Sequence, residues 1–372
     1  MTETDIQCPW SAQWHDAQNL VLRYGCNATA YQILNPGMMF WFPPEGHAVV
    51  GYVLSGGFRV VAGSPICAPE HLASVVAWFE DDAHRSRQRV CYFGVQERLT
   101  RVLAIQGPLA CLRLGAQPVW SPQRWPAMVS RKPSLRAQLA RARNKQVVVT
   151  RWTTELASSH HPDPDLAGLS QCLREWLQTR PLPPMHFLVE PETLAYLEGR
   201  RVYVARCEGT ERTEGTVVGF LVASPVPVRN GWFVEQIIRG TSAPNGTTEL
   251  LLDTAIRDMA ASGADYVTLG LSPLSRRADL PPVEHPAWLR LVLHWIRAYG
   301  QQFYNFDGLD AFKAKFLPET WEPVYAVMRG PRVSWRMLYA IAGAFSGTSP
   351  LWFVGQGVGR VVRQQVQRMV KA

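Results

Sequence analysis

Two side chains of opposite charge, Glu235 and Arg239, stand four residues apart at the end of one strand-like run. A carboxylate there can take the proton of an acceptor hydroxyl, and a guanidinium can hold a phosphate through two parallel hydrogen bonds. The bland alternative is a strand-end ion pair. Further along, Lys313 and Lys315 follow a turn-like Asp307-Gly308. Side chains two apart on a helix point in different directions, so only one of these lysines is expected to face a site. Seven scattered cysteines form no CxxC pair, which suggests neither a zinc site nor a disulfide framework. His160, His161 and His186 lack a third ligand at useful spacing, so no metal is expected.

These residues need elements to hold them. In the first third, residues 48–54, 58–62, 89–95 and 113–119 have the length and apolar content of strands. Residues 70–83 have helical spacing, with Leu72, Val75, Val76 and Phe79 on one face. The second part reads as a basic helix over 134–145, a strand over 147–152 and a helix over 165–178. A proline-rich turn at 181–184 follows, then strand-like segments at 201–207, 216–224 and 231–238. A loop over 240–246 opens a helix over 247–261, which Gly263 ends, and residues 266–270 read as a further strand. The pattern alone says α/β or α+β, and 372 residues suit two domains. The expected divisions are 1–125, 126–330 and a tail, 331–372.

Charge is unevenly spread. The net charge is +8 and the isoelectric point about 9.3. From 131 to 151 the chain carries Arg131, Lys132, Arg136, Arg141, Arg143, Lys145 and Arg151 with no acidic residue. A second block holds Arg332, Arg336, Arg360, Arg363, Arg368 and Lys371. Two such blocks favour a polyanionic partner, either nucleic acid or an anionic lipid surface. Residues 337–359 are uncharged but split by Pro350, and aromatics and arginines flank the pieces. That describes an interfacial anchor better than a membrane span. The acidic start has no apolar stretch, so no signal peptide is expected.

The chain resembles the catalytic domain of bacterial phosphatidylglycerol lysyltransferases, the multiple peptide resistance factor family. The resemblance lies in Glu235-Gln236-Ile237-Ile238-Arg239, Ala243-Pro244-Asn245-Gly246-Thr247 and Leu269-Gly270-Leu271-Ser272-Pro273-Leu274-Ser275. It is densest at Phe303-Tyr304-Asn305-Phe306, Phe312-Lys313-Ala314-Lys315-Phe316 and Trp321-Glu322-Pro323-Val324-Tyr325, and covers roughly 20–328. Gln236 stands where many relatives have an acidic residue, and the basic tail is additional.

The resemblance implies tandem GNAT-like acyltransferase domains, each a mixed, mostly antiparallel sheet flanked by helices. It also implies transfer of an amino acid from aminoacyl-tRNA to a lipid hydroxyl, without a cofactor, by a cytoplasmic protein peripheral on the inner face of the membrane. On that basis Glu235, Arg239 and Lys313 are the expected catalytic residues. Asn245, Thr247, Tyr304, Asn305, Lys315 and Glu322 are expected to bind substrate. Arg136, Arg143 and Lys145 are expected to contact tRNA or anionic lipid, and the 331–372 tail to touch the membrane. Asn245 or Thr247 can equally be a helix cap. Two rivals stand beside this reading, an acyl-CoA-dependent acyltransferase and a non-catalytic tRNA- or membrane-binding module. The loop 239–246 counts against acyl-CoA. It lacks the Q/R-x-x-G-x-G/A spacing of a pyrophosphate loop, and Pro244 removes a backbone donor.

Overall fold

The structure, a computed structural model, describes residues 11–152, 164–179, 186–188, 194, 196–207, 215–279, 288–289 and 306–347. After α1 (Ala12–Tyr24), which Ser11 caps, the chain lays down β1 (Met39–Trp41), β2 (Val50–Ser55) and β3 (Phe58–Ala62) as an antiparallel meander. The β2–β3 turn needs positive φ at Gly56 and Gly57, where glycine adds no Cβ clash. The helix α2 (Leu72–Arg85) buries Leu72, Val75, Val76, Phe79 and Ala83 and returns the chain to β4 (Arg89–Val95), parallel to β3. Then come α3 (Glu97–Ile105) and the long β5 (Leu109–Trp120).

The second part repeats this plan. α4 (Trp125–Ser130) and α5 (Pro133–Asn144) lead to β6 (Val147–Trp152), and α6 (Pro164–Gln178) to β7 (Arg201–Cys207). β8 (Thr216–Val226) and β9 (Gly231–Arg239) continue the meander. α7 (Thr247–Ala261) crosses to β10 (Tyr266–Thr268), parallel to β9. An antiparallel meander, a crossover helix and a parallel strand thus occur twice, as expected of tandem GNAT-like domains. The last elements are β11 (Ser272–Pro273), α8 (Phe306–Ala314), β12 (Thr320–Arg329) and α9 (Trp335–Ser346).

All the described strands join one sheet in the order β1-β2-β3-β4-β12-β5-β10-β9-β8-β7-β6, with β11 on β5. α2 and α3 cover one face of its first half, and α1 and α9 the other. α4, α5 and α7 cover one face of the second half, and α6 the opposite one. The divisions drawn from sequence do not divide this sheet. β12 enters between β4 and β5, far from its chain neighbours, and α9 packs on β2 and β3.

Over its described part the tail is packed on the protein. Met337, Ala340 and Ala344 of α9 are buried in the first core, and Phe345 packs edge-on against Phe93 and Phe187. Apolar spacing on one face gives the helix a packing partner before it meets any membrane. Its outer face still leaves Trp335 66% and Tyr339 38% exposed. Residues 348–372 lie outside the described residues. No helix among the described residues is long and apolar enough to cross a membrane.

Candidate active site at a splayed pair of strands

β9 and β10 pair over only three residues, Trp232 opposite Val267 in the middle. Beyond Phe233, residues 234–239 of β9 keep β8 on one side and have no described strand on the other. The strand expected to run to 270 stops at Thr268. There the Thr268 hydroxyl accepts the Gly270 amide, and Gly270 turns to φ +66. A Cβ on Gly270 would lie 2.5 Å from the Phe233 ring, so only glycine lets the chain leave the sheet there. Among the described residues, β9 and the turn 269–271 thus part in a V.

Glu235 sits on the β9 wall, but not as a regular strand would hold it. Val222 pairs with Gln236 and Ala223 with Val234, so Glu235 is the extra residue of a β-bulge. In a regular strand 235 and 239 share a face. Here Arg239 pairs with Gly219, whose Cα faces Leu251 of α7, whereas Glu235 turns to Arg200. The strand-end Glu235–Arg239 ion pair weighed as the alternative does not form: Glu235 pairs with Arg200 at 2.9 Å, with side chains 4% and 2% exposed. Arg200 is itself fixed by the Asn35 Oδ1 at 3.0 Å, the Tyr196 carbonyl at 2.6 Å and the Tyr31 ring. Glu235 Oε2 has no partner among the described residues, and Arg239 is exposed at the open end of the strand.

Lys313 also departs from its expected role. Its side chain is buried, and its Nζ donates to the carbonyls of Leu269, Gly270 and Leu271 at 2.8, 3.0 and 2.8 Å. With three donors on three acceptors, the ammonium has none left for a substrate. Burial pushes its pKa down to about 7, with Asp310 pulling the other way. In an unfolded chain a lysine keeps its proton to about pH 10. Between those values the unfolded chain binds more protons, so stability should rise as pH climbs from 7 towards 10. Thermal midpoints measured across that range should rise more steeply in the wild type than in Lys313→Met. Parallel curves would mean Lys313 does not carry this linkage.

Lys315 points elsewhere, as its spacing from Lys313 implies. It pairs with the buried Glu249 and donates to Gln138 Oε1 of α5 at 3.0 Å. This clamps α5 across the first turn of α7. Gly246 heads that helix at φ +97 with no side-chain cap, and a Cβ there would meet the Gln138 carbonyl at 2.2 Å. Thr247 is buried and donates its hydroxyl back to the Pro244 carbonyl, while Asn245 is exposed on the loop. Neither caps α7, contrary to the alternative weighed for them. The loop is already occupied by its own chain. Glu175 Oε2 accepts both the Thr241 amide and the Thr241 hydroxyl at 2.9 Å, and those bonds, with Gln171, hold its carboxyl below the usual value.

Glu322 lies among saturating donors. Arg229 reaches both its oxygens at 2.7 and 2.9 Å, and Gln96 and Gln117 add bonds at 2.6 and 2.9 Å. Tyr304 and Asn305 lie outside the described residues, as do His160 and His161. On α5 the expected contact residues differ among themselves. Arg143 is tied to the buried Asp253 at 3.3 Å, and Arg136 donates to the Ser130 carbonyl. Arg131, Arg141 and Lys145 are exposed, with no side-chain partner among the described residues. A pocket of about 460 Å³ beside Trp125, Met128, Arg131 and Leu317 includes none of the splay residues.

The family model for the C-terminal region of phosphatidylglycerol lysyltransferase matches residues 18–328. The chain belongs to that family. A phosphatidylglycerol lysyltransferase of Bacillus subtilis (strain 168) is 22% identical over 308 residues, 83% of this chain and 34% of the relative. The chain thus spans about a third of that relative's length. Among solved structures, the C-terminal domain of a proposed lysylphosphatidylglycerol synthetase from Agrobacterium fabrum has TM-score 0.73 at 20% identity, covering 90% of this chain and 97% of that one. L-PGS from Bacillus licheniformis has TM-score 0.73 at 18% identity, covering 89% and 95%. At such identities the likeness of structure speaks for the fold.

Within this lysyltransferase-family frame, sequence reading missed Arg200, Asn35 and Glu175. Arg200 reads as the residue before a strand, and its partners lie 35 and 165 residues away. No local spacing carries that signal. Glu175 reads as one polar position on the outer face of a helix, and only the fold brings the loop onto it.

Proposed function

We propose that this chain is an aminoacyltransferase that moves an amino acid from aminoacyl-tRNA to a lipid hydroxyl, in the manner of a phosphatidylglycerol lysyltransferase. Membership of that family carries the reading. In this reading acyl transfer takes place at the splay, with the Oε2 of Glu235, which has no partner among the described residues, as base for the acceptor hydroxyl. Asn245, exposed on the loop before α7, would border the aminoacyl group. The α5 cations would meet tRNA, and the exposed Trp335 and Tyr339 of α9, beside Arg332 and Arg336, would rest on the inner face of the membrane.

The loop before α7 speaks against acyl-CoA. A pyrophosphate needs free backbone donors there. Glu175 holds the Thr241 amide, the Ala243 amide bonds the Gly240 carbonyl, and residue 244 is a proline. The test is label transfer from charged tRNA into an organic extract of phosphatidylglycerol vesicles, alongside calorimetry with CoA. Labelled lipid and no heat of CoA binding are expected. Saturable CoA binding with no lipid label from any aminoacyl-tRNA would overturn the reading.

A further inference from the structure

Three successive carbonyls converge on one buried ammonium, and that fixes where the neighbouring amides point. In a planar peptide unit the C=O of one residue and the N–H of the next face opposite ways. Because Lys313 holds the carbonyls of residues 269–271, the amides of residues 270–272 are turned away from it. The Gly270 amide is taken by the Thr268 hydroxyl, which in turn donates to the Pro118 carbonyl. Ser272 enters the ladder with Ala116. The Leu271 amide has no partner among the described residues, and Leu271 is half-buried on the wall of the splay, next to the Gly270–Phe233 contact.

We propose that Lys313 is a positioning residue: it sets the turn 269–271 so that the Leu271 amide is left to donate to the carbonyl oxygen of the acyl group being transferred. The inference rests on the acyl-transfer reading above. In that step the acceptor hydroxyl oxygen bonds to the ester carbonyl carbon, and the π pair moves onto the carbonyl oxygen. The Leu271 N–H meets that charge. The pair then returns, the bond to the ribose oxygen breaks, and the proton lost by the acceptor hydroxyl ends on the ribose hydroxyl. A backbone donor fixed before reaction needs no reorganisation when the charge appears. Lys313 itself cannot fill this role, since its three donors are engaged.

Lys313→Met keeps the apolar stem and removes all three donors. It is expected to lower kcat by about 10²-fold, the scale for losing one oxyanion donor, while KM for charged tRNA stays within about twofold. A second arm uses the wild type alone, in case the variant does not fold. Asp310, itself held by Ser272 and Arg277, is the charged group acting on Lys313. Among the described residues, the other groups packed on the Lys313 ammonium are backbone carbonyls. Between pH 6 and 8.5 the ammonium gives up its proton and one carbonyl loses its donor, so transfer should fall while stability rises. A merely structural lysine would move both together. Transfer that tracks stability, or a folded Lys313→Met with kcat within threefold of wild type, overturns the positioning role. No transfer by the wild type overturns it together with the reading it rests on.

Discussion

Arg200→Met is expected to cost the fold about 3–5 kcal/mol, because it strands a buried carboxylate. Glu235→Gln should be milder for stability yet reduce lipid transfer by about 10²–10⁴-fold, the range for a lost general base. The two halves of the pair separate because their surroundings differ. Arg200 is 2% exposed and spreads its charge over Glu235, Asn35, the Tyr196 carbonyl and the Tyr31 ring. Methionine fills the space but leaves Glu235, 4% exposed, without a counter-charge. Glutamine at 235 still offers an Oε1 to the Arg200 Nε, so the hydrogen bond survives while the basic oxygen is lost. Urea midpoints read the first effect and label transfer under native conditions reads the second. An unchanged midpoint in Arg200→Met would mean the pair does not hold the junction together. Full transfer by Glu235→Gln would remove Glu235 from the chemistry.

The network has a consequence for how the two halves of the molecule are joined. Asn35 belongs to the first part of the chain, Arg200 and Glu235 to the second, and Asn35 also donates to Gln32 and to the Phe187 carbonyl. Gln32 reaches Ser224 of β8. Losing Arg200 therefore loosens the seam beneath the bulge, and Glu235 with it. Stability and site geometry are coupled at this point, which is why both measurements are needed on both variants.

Much of the fold was legible because it depends on local periodicity. Residues 58–62, 89–95, 147–152, 201–207 and 247–261 form β3, β4, β6, β7 and α7 with the bounds their apolar spacing predicts. The site was legible only in its residue types. A single inserted residue at Glu235 leaves the composition of β9 unchanged but turns its carboxylate to a different partner. The two lysines were read correctly as divergent, yet nothing near Lys313 announces that its acceptors are carbonyls 42 to 44 residues earlier. The place of β12 between β4 and β5 is likewise a pairing across more than 200 residues, beyond the reach of any window.

The second large effect concerns the basic surface of α4 and α5. Removing Arg131, Arg136, Arg141 and Lys145 together is expected to flatten the salt dependence of tRNA binding. At 0.7–0.9 per phosphate contact, four lost contacts lower the slope of log K against log salt by roughly 3. Arg143 is left out because Asp253 anchors it, with Trp125 and Arg257 on the same carboxylate. Arg143→Ala should cost stability before it costs affinity. The outward positions of α5 are otherwise small or polar, Ala137, Ala140 and Asn144 among them, which suits a phosphate backbone and offers a bilayer nothing to insert. Trp335 and Tyr339 lie on α9, which packs on β2 and β3 near one end of the sheet, whereas α5 packs on β6 at the other. Trp335→Ser with Tyr339→Ser should therefore weaken sedimentation with anionic vesicles and spare tRNA, and the α5 variant should do the reverse. If the α5 variant instead keeps its tRNA slope and loses the vesicles, the basic helix faces the membrane, and the donor must approach the splay from another side.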